Sequence, residues 1–357
     1  MTDLLRRSFL LGATSVGLAA CAPRAQASTL KIAAVSTYAG GKINLTGLDY
    51  VIEKQGYLRD ALGKNNIALQ WFQAPNAAVG PIVNEAFASR KIQFAGYSDL
   101  PSIILNASTS PTKTKLVVPW APNESYLVVP AHSTATSIED LKGKRLAIHR
   151  GRPWELPLLR LLQSKGLTYK DFQIYNINPE AGASAVATGG VDALFTVSAF
   201  NLEDKGVAKI IWSTADQPAD WKSWGGIFVD RDYLAKNPGA AQTVVDAYVK
   251  AAYWASQDAN KDELVKAASR NGQPEKYIRR AYDESHISWK DRWSPLFQPA
   301  LYTHYREAAV FAKSNGIIQA DLDTTALFDD SLVATALKNQ GLDTYWTLPT
   351  TAPTKGA

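Results

Sequence analysis

Between Thr29 and Asp230 the chain alternates short apolar runs with stretches of helical periodicity, and at two places that alternation breaks. The runs "LKIAAV" (30–35), "IALQWF" (67–72), "KIQFAGY" (91–97), "KRLAIHR" (144–150), "FQIYNI" (172–177) and "ALFTV" (193–197) have the length and the β-branched or aromatic content of strands. Between them, 44–62, 76–90, 153–165 and 179–188 space their apolar residues as one face of a helix does. Strands and helices in alternation predict an α/β fold with mostly parallel sheets. The breaks are "VPWAPNESYLVV" (118–129), a strand joined to a strand by a Pro-bounded bend, and "STADQPADWKSWGG" (213–226), a polar stretch leading into "GGIFVD" (225–230). Two crossings around one β/α block predict one lobe inserted into another, with lobe 1 formed by 29–118 plus 227–357 and lobe 2 by 119–226. After Asp230 the strand signals stop, and helical segments punctuated by Pro and Gly fill the last third.

Residues 1–27 read as an export signal. A charged start with Arg6 and Arg7 leads into an apolar stretch from Phe9 to Ala20, shorter than the roughly 20 residues a membrane-spanning helix needs. The paired arginines followed by Ser8, Phe9 and Leu10 resemble a twin-arginine signal. "LAAC", ending at Cys21, resembles a bacterial lipobox, which would make Cys21 the lipidated first residue of the mature protein, anchored to a membrane. "AQAS" offers a competing cut after Ala27. Either processing predicts an exported, periplasmic protein.

Several function classes are excluded by what the chain holds. Its only cysteine is Cys21, so no intrachain disulfide and no Cys-based zinc site can form. The four histidines, His132, His149, His286 and His304, have no metal-ligand spacing, and no GxSxG elbow or Walker loop occurs. The net charge of +5 is modest for 357 residues, and no nucleic-acid-binding signature appears. The expectation is a non-enzyme without metal or cofactor.

The polar exits of the strands carry the positive signal, because ligands of open α/β sheets collect beyond the carboxyl ends of strands, near helix N-termini. "HRGRPWELPLLRLL" (149–162) is the sharpest of them, placing Arg150, Gly151, Arg152, Pro153 and Trp154 before an apolar helix. Positive side chains at a helix start oppose its dipole, so either an anion is expected there or both arginines reach into solvent. The exits together nominate Ser36, Thr37, Tyr38, Gly40, Ser98, Asp99, Trp120, Asn123, Arg152, Trp154, Ser198, Trp224 and Gly225 as ligand-binding residues. They are rich in hydroxyls, glycine, aromatics and basic groups, which suits a small anion with an apolar part. Arg152 would hold its charge bidentately and Trp154 would stack on a ring or tail. Asp99, while ionised, cannot accept an anion; it is expected to orient neighbouring N–H groups as a cap before Pro101.

The stretches "IQFAGYSDLPSIILNA", "TSIEDLKGKRLAIHRG", "LLRLLQSKGLTYKDFQIYNINPEAGASAVATGGVDAL" and "VDRDYLAKNPGAAQTVVDAY" resemble the periplasmic substrate-binding proteins of ABC importers for aliphatic sulfonates, taurine and nitrate, over roughly 30–320. The resemblance implies a two-lobed type II binding-protein fold, a ligand clamped between the lobes, a monomeric receptor and a cognate ABC permease in the inner membrane. Two departures leave the solute open. The family commonly follows this strand with Gly and small hydroxyl residues, where this chain has Gly151, Arg152, Pro153 and Trp154. It often has an aromatic–Asp–Pro where this chain has Val197, Ser198 and Ala199. An alkyl- or arylsulfonate is the leading expectation; nitrate, a carboxylate, a thiamine-type pyrimidine, or a periplasmic enzyme are the rivals. The pyrimidine-forming enzymes of that fold depend on a Cys-rich motif that this chain lacks.

Overall fold

The computed structural model describes residues 28–39, 42–75 and 78–348, so the export signal, Cys21 and Gly40 lie outside the described residues. In chain order the strands are β1 Ser28–Val35, β2 Thr37–Ala39, β3 Lys42–Asn44, β4 Ile67–Ala74, β5 Phe94–Ser98, β6 Thr114–Pro119, β7 Tyr126–Pro130, β8 Arg145–Ile148, β9 Gln173–Asn176, β10 Ala193–Thr196, β11 Ala208–Ser213 and β12 Gly225–Asp230. They form two five-stranded sheets, β4-β1-β5-β12-β6 and β11-β7-β10-β8-β9, and the small pair β2-β3.

Both sheets are mixed, which corrects the expectation of mostly parallel pairing. β1 runs parallel to β4 and β5, and β8 runs parallel to β9 and β10, as helical crossovers require. β12 is antiparallel to β5 and β6, and β7 is antiparallel to β10 and β11. The antiparallel members are those that enter each sheet from the other, with no α-helix to turn the chain around.

The chain leaves the first sheet at Pro119 and returns to it at Gly225. These two connections are tied together by an isolated bridge: Asn123 N–H donates to the Ser223 carbonyl at 2.8 Å, and Ser223 N–H to that of Asn123 at 3.1 Å. Where β12 meets β6, a Cβ at Gly226 would fall 2.2 Å from the Val118 carbonyl oxygen, so only glycine admits this approach.

β1 is buried at Leu30, Ile32, Ala33 and Ala34, the continuous apolar pattern of a strand covered on both faces. The first sheet anchors the largest core cluster, with Phe94, Ile227, Phe228 and much of the long helix Pro238–Ala255. The second sheet has separate clusters on its two faces, one around Leu146, Leu158 and Phe195, the other around Tyr126, Leu194 and Phe200. Helices dominate after Asp230, and they do not all pack on the first sheet. Tyr277, on the helix Glu275–Glu284, is buried against the second sheet's cluster with Tyr126 and Phe200.

Candidate functional site

A cavity of about 650 Å³ opens where the exits of β5, β8 and β10 meet the two connections and the C-terminal helical segment. Five of the nominated residues line it: Ser98, Asn123, Arg152, Trp154 and Ser198. They come from four separate places in the chain and converge because each lies at the carboxyl end of a strand or on a crossing.

The loop after β8 gives the two arginines different surroundings. Gly151 takes a left-handed φ of 74°, turning the chain into the helix Glu155–Ser164. Glu155, in that helix's first turn, is buried and gathers Arg150 Nε at 2.8 Å, Tyr169 Oη at 3.0 Å and the Gly151 N–H. Arg150 is thus committed to a structural ion pair. Arg152 is not: it is 8% exposed, and its Nε and Nη1 are buried without a hydrogen-bond partner. Its guanidinium lies 4.9 Å from the Trp154 ring centroid. Burial pushes its pKa below the ordinary value, with the Glu180 carboxylate pulling the other way. Burial and the Arg152 charge likewise hold His149 below its ordinary range.

The remaining nominated residues stand behind the wall or apart from it. Ser36 is buried, with Oγ donating to the Ala34 carbonyl at 3.2 Å. Thr37 Oγ1 donates to Asn271 Oδ1 at 2.8 Å, and it is Asn271 that reaches the cavity. Tyr38 lies on β2. Asp99 is fully buried, its Oδ1 taking the Leu100 N–H at 2.6 Å and its Oδ2 the Trp224 N–H at 2.8 Å. Trp120 lies against Gly96, where a Cβ would come 2.9 Å from its ring. Trp224 is 1% exposed, and its indole N–H donates to the Ala219 carbonyl at 2.9 Å. Gly225 is paired to Ser98 in the sheet. Trp224 and Gly225 are buried and Trp120 is partly buried against the first sheet's core, and none of the three is among the residues lining the cavity.

Sequence reasoning missed the cavity residues that do not follow a strand. Glu124, on the connection after β6, lines the cavity and pairs at 2.7 Å with buried Lys222 of the other connection, with Thr214 Oγ1 donating to the same carboxylate at 2.6 Å. Arg292, closing the helix Trp289–Arg292, lines the cavity from the C-terminal third, over the Tyr282 ring at 4.3 Å. Its Nε is buried without a partner, while Nη2 donates to the Tyr282 carbonyl at 3.3 Å and to Ser285 Oγ. The signal was the cluster Trp289, Arg292 and Trp293 inside an otherwise ordinary helical stretch. Among the described residues no group of three or more His, Cys, Asp or Glu is placed to hold a metal, and no helix is long and apolar enough to cross a membrane.

Comparison with known proteins agrees with this architecture. Residues 46–261 match the model of a family described as NMT1/THI5 like. A Bacillus subtilis (strain 168) protein named as aliphatic sulfonates-binding is 22% identical over 290 residues, 81% of this chain and 84% of that protein. A protein of the same name from Escherichia coli (strain K12) is 29% identical over 125 residues, 35% of this chain and only 38% of that relative. Among solved structures, a sulfonate ABC transporter's periplasmic sulfonate-binding protein from Methylobacillus flagellatus KT superposes with a TM-score of 0.83 at 46% identity, covering 92% of this chain and 99% of that one. The desulfurization enzyme DSZB shares the fold at 17% identity and a TM-score of 0.66, over 88% of this chain and 99% of its own.

Proposed function

The chain belongs to the NMT1/THI5-like family, and from that premise we propose that it is the periplasmic solute receptor of an ABC importer, capturing a small organic anion, an alkyl- or arylsulfonate, between two closing lobes. One observation carries the choice of an anion: a guanidinium, that of Arg152, is buried in the cavity wall with two nitrogens unpaired. A buried charge without a partner is costly, and a ligand oxyanion accepting from its free N–H groups reduces that cost. The hydroxyls of Ser98 and Ser198 and the side chain of Asn123 on the same wall supply further donors for sulfonate oxygens. Trp154 supplies an aromatic face for the organic part.

The lobes are 29–118 with 227–357, and 119–226, and they turn about the paired connections at Asn123 and Ser223. The ligand is bound and released unchanged. The described cavity wall bears serines but neither a histidine nor a cysteine to activate one, which favours a receptor over an enzyme of the same fold. The receptor works as a monomer that delivers to an inner-membrane permease, and lipidation at Cys21 tethers it. Mass spectrometry of the mature protein tests the tether, and an N-terminus at Ser28 would overturn it.

Thermal-shift screening against ethanesulfonate, benzenesulfonate, sulfate, nitrate, simple carboxylates and pyrimidines tests the ligand class. A true ligand at 100 times its Kd adds about 2.7 kcal/mol of stability. Sulfonates are expected to give the largest shifts. A carboxylate outranking them would overturn the sulfonate, a pyrimidine outranking them would overturn the anion class, and turnover of any ligand would overturn the receptor.

A further inference from the structure

We propose that the cavity reads its ligand at two points, Arg152 holding the sulfonate and Arg292 a second acidic group, so that the solutes taken best are bifunctional acids such as sulfocarboxylates or disulfonates. This inference rests on the receptor reading above and specifies the substrate class of the same cavity.

Two guanidiniums line one cavity. Arg152 comes from the loop after β8, Arg292 from the helix Trp289–Arg292, and both line the 650 Å³ space. Neither forms an ion pair within 4.0 Å among the described residues, and each keeps a buried Nε–H without an acceptor.

The acidic groups near Arg292 are already engaged. Glu124 is held by Lys222 at 2.7 Å and by Thr214, and Asp283 faces Lys261 at 3.7 Å. Near Arg152 the acidic neighbour is Glu180, which is exposed and therefore screened by water. A monosulfonate held by Arg152 brings no second acidic group to Arg292, whose buried Nε–H then keeps no acceptor.

Arg292 is also prepared for such a role. Its Nη2 is anchored to the Tyr282 carbonyl and Ser285 Oγ, and its plane lies over the Tyr282 ring, so the free Nε–H is held in one direction. A side chain already ordered loses little entropy when a ligand binds it.

Calorimetric titration of the wild-type protein with propane-1-sulfonate, 3-sulfopropanoate and propane-1,3-disulfonate tests this. The two bifunctional acids are expected to bind at least tenfold more tightly than propane-1-sulfonate. Arg292→Gln is expected to abolish that preference, bringing the affinity ratio of the bifunctional acids over propane-1-sulfonate down to about one. Arg292→Lys, which keeps the charge, is expected to retain part of the preference. Equal wild-type affinity for the three ligands would overturn the proposal and leave the receptor reading intact, whereas binding of none of them would count against the receptor reading itself. The wild-type series decides the matter even where an Arg292 variant fails to fold.

Discussion

His304 Nε2 lies 2.7 Å from Asp99 Oδ2, joining two fully buried side chains 205 residues apart. The other ring nitrogen, Nδ1, lies 2.8 Å from the Asp220 carbonyl, which can only accept, so Nδ1 carries a hydrogen. Asp99 also takes the N–H groups of Leu100 and Trp224. One hydrogen-bonded unit therefore connects the exit of β5, the entry to β12, the turn Ala219–Trp221 and the helix Pro299–Ser314, directly behind Ser98 on the cavity wall. Arg160 adds to the same junction, donating to Asp220 Oδ2 at 3.0 Å and to Glu307 of that helix.

Breaking this unit by removing one partner strands a buried polar group. Asp99→Asn and His304→Ala are each expected to cost about 3–5 kcal/mol of stability, measured as urea unfolding. A loss below about 1 kcal/mol would show that water replaces the missing partner and that the junction is not a structural one.

Arg152→Ala is expected to weaken binding of a small sulfonate by tens- to thousands-fold, the range that follows from losing a buried charge-assisted pair worth about 2–5 kcal/mol. Arg150→Ala is expected to leave affinity nearly unchanged and to lower stability, because its partner is Glu155. Calorimetry on both variants separates the two roles. An Arg152→Ala protein binding within twofold of wild type would remove the guanidinium from the site. Trp154→Ala is expected to penalise aromatic sulfonates more than ethanesulfonate.

Burial raises the Asp49 carboxyl from its ordinary 3.8 to about 7, against the opposing effect of the Tyr248 hydroxyl that donates to it at 2.6 Å. A carboxyl whose folded pKa exceeds its unfolded one binds more protons in the folded state. Its contribution is therefore fully present below 3.8 and is lost as pH rises through about 7. Asp49→Asn removes the titration. The stability difference, wild type minus Asp49→Asn, is expected to fall between pH 4 and pH 7 and to flatten above it, as followed by thermal melts in matched buffers. A difference that rises with pH would reverse the assignment.

Gly226→Ala is expected to destabilise the protein by roughly 3 kcal/mol or more, since the added Cβ would lie 2.2 Å from a backbone oxygen and 2.5 Å from Leu116 Cδ1, and a backbone cannot turn aside as a side chain can. Gly63→Ala, where a Cβ meets nothing within 4 Å, is the control, expected to be neutral or stabilising by up to about 1 kcal/mol. Thermal melts of the pair check the contrast. Equal melting temperatures would mean that β6 and β12 can part to admit a methyl group.

What was legible in the sequence is what neighbouring residues decide among themselves. The period of apolar residues marked the strands and helices, because backbone geometry imposes that period locally. The two strand-to-strand junctions marked where the chain changes sheet, and Gly151 with Arg152 before an apolar helix marked a charged loop at a strand's exit. The same local signals could not tell Arg150 from Arg152; the difference is that Glu155 and the Tyr169 ring reach one guanidinium, while among the described residues nothing accepts from Nε or Nη1 of the other. They could not place Trp120 and Trp224 either, since an aromatic at a crossing looks alike whether it lines a cleft or fills the space above a glycine. Arg292 entered the cavity, and His304 met Asp99, only once the C-terminal helices had packed across both sheets. Which faces those helices bury depends on contacts between residues hundreds of positions apart, and no short stretch of sequence carries that information.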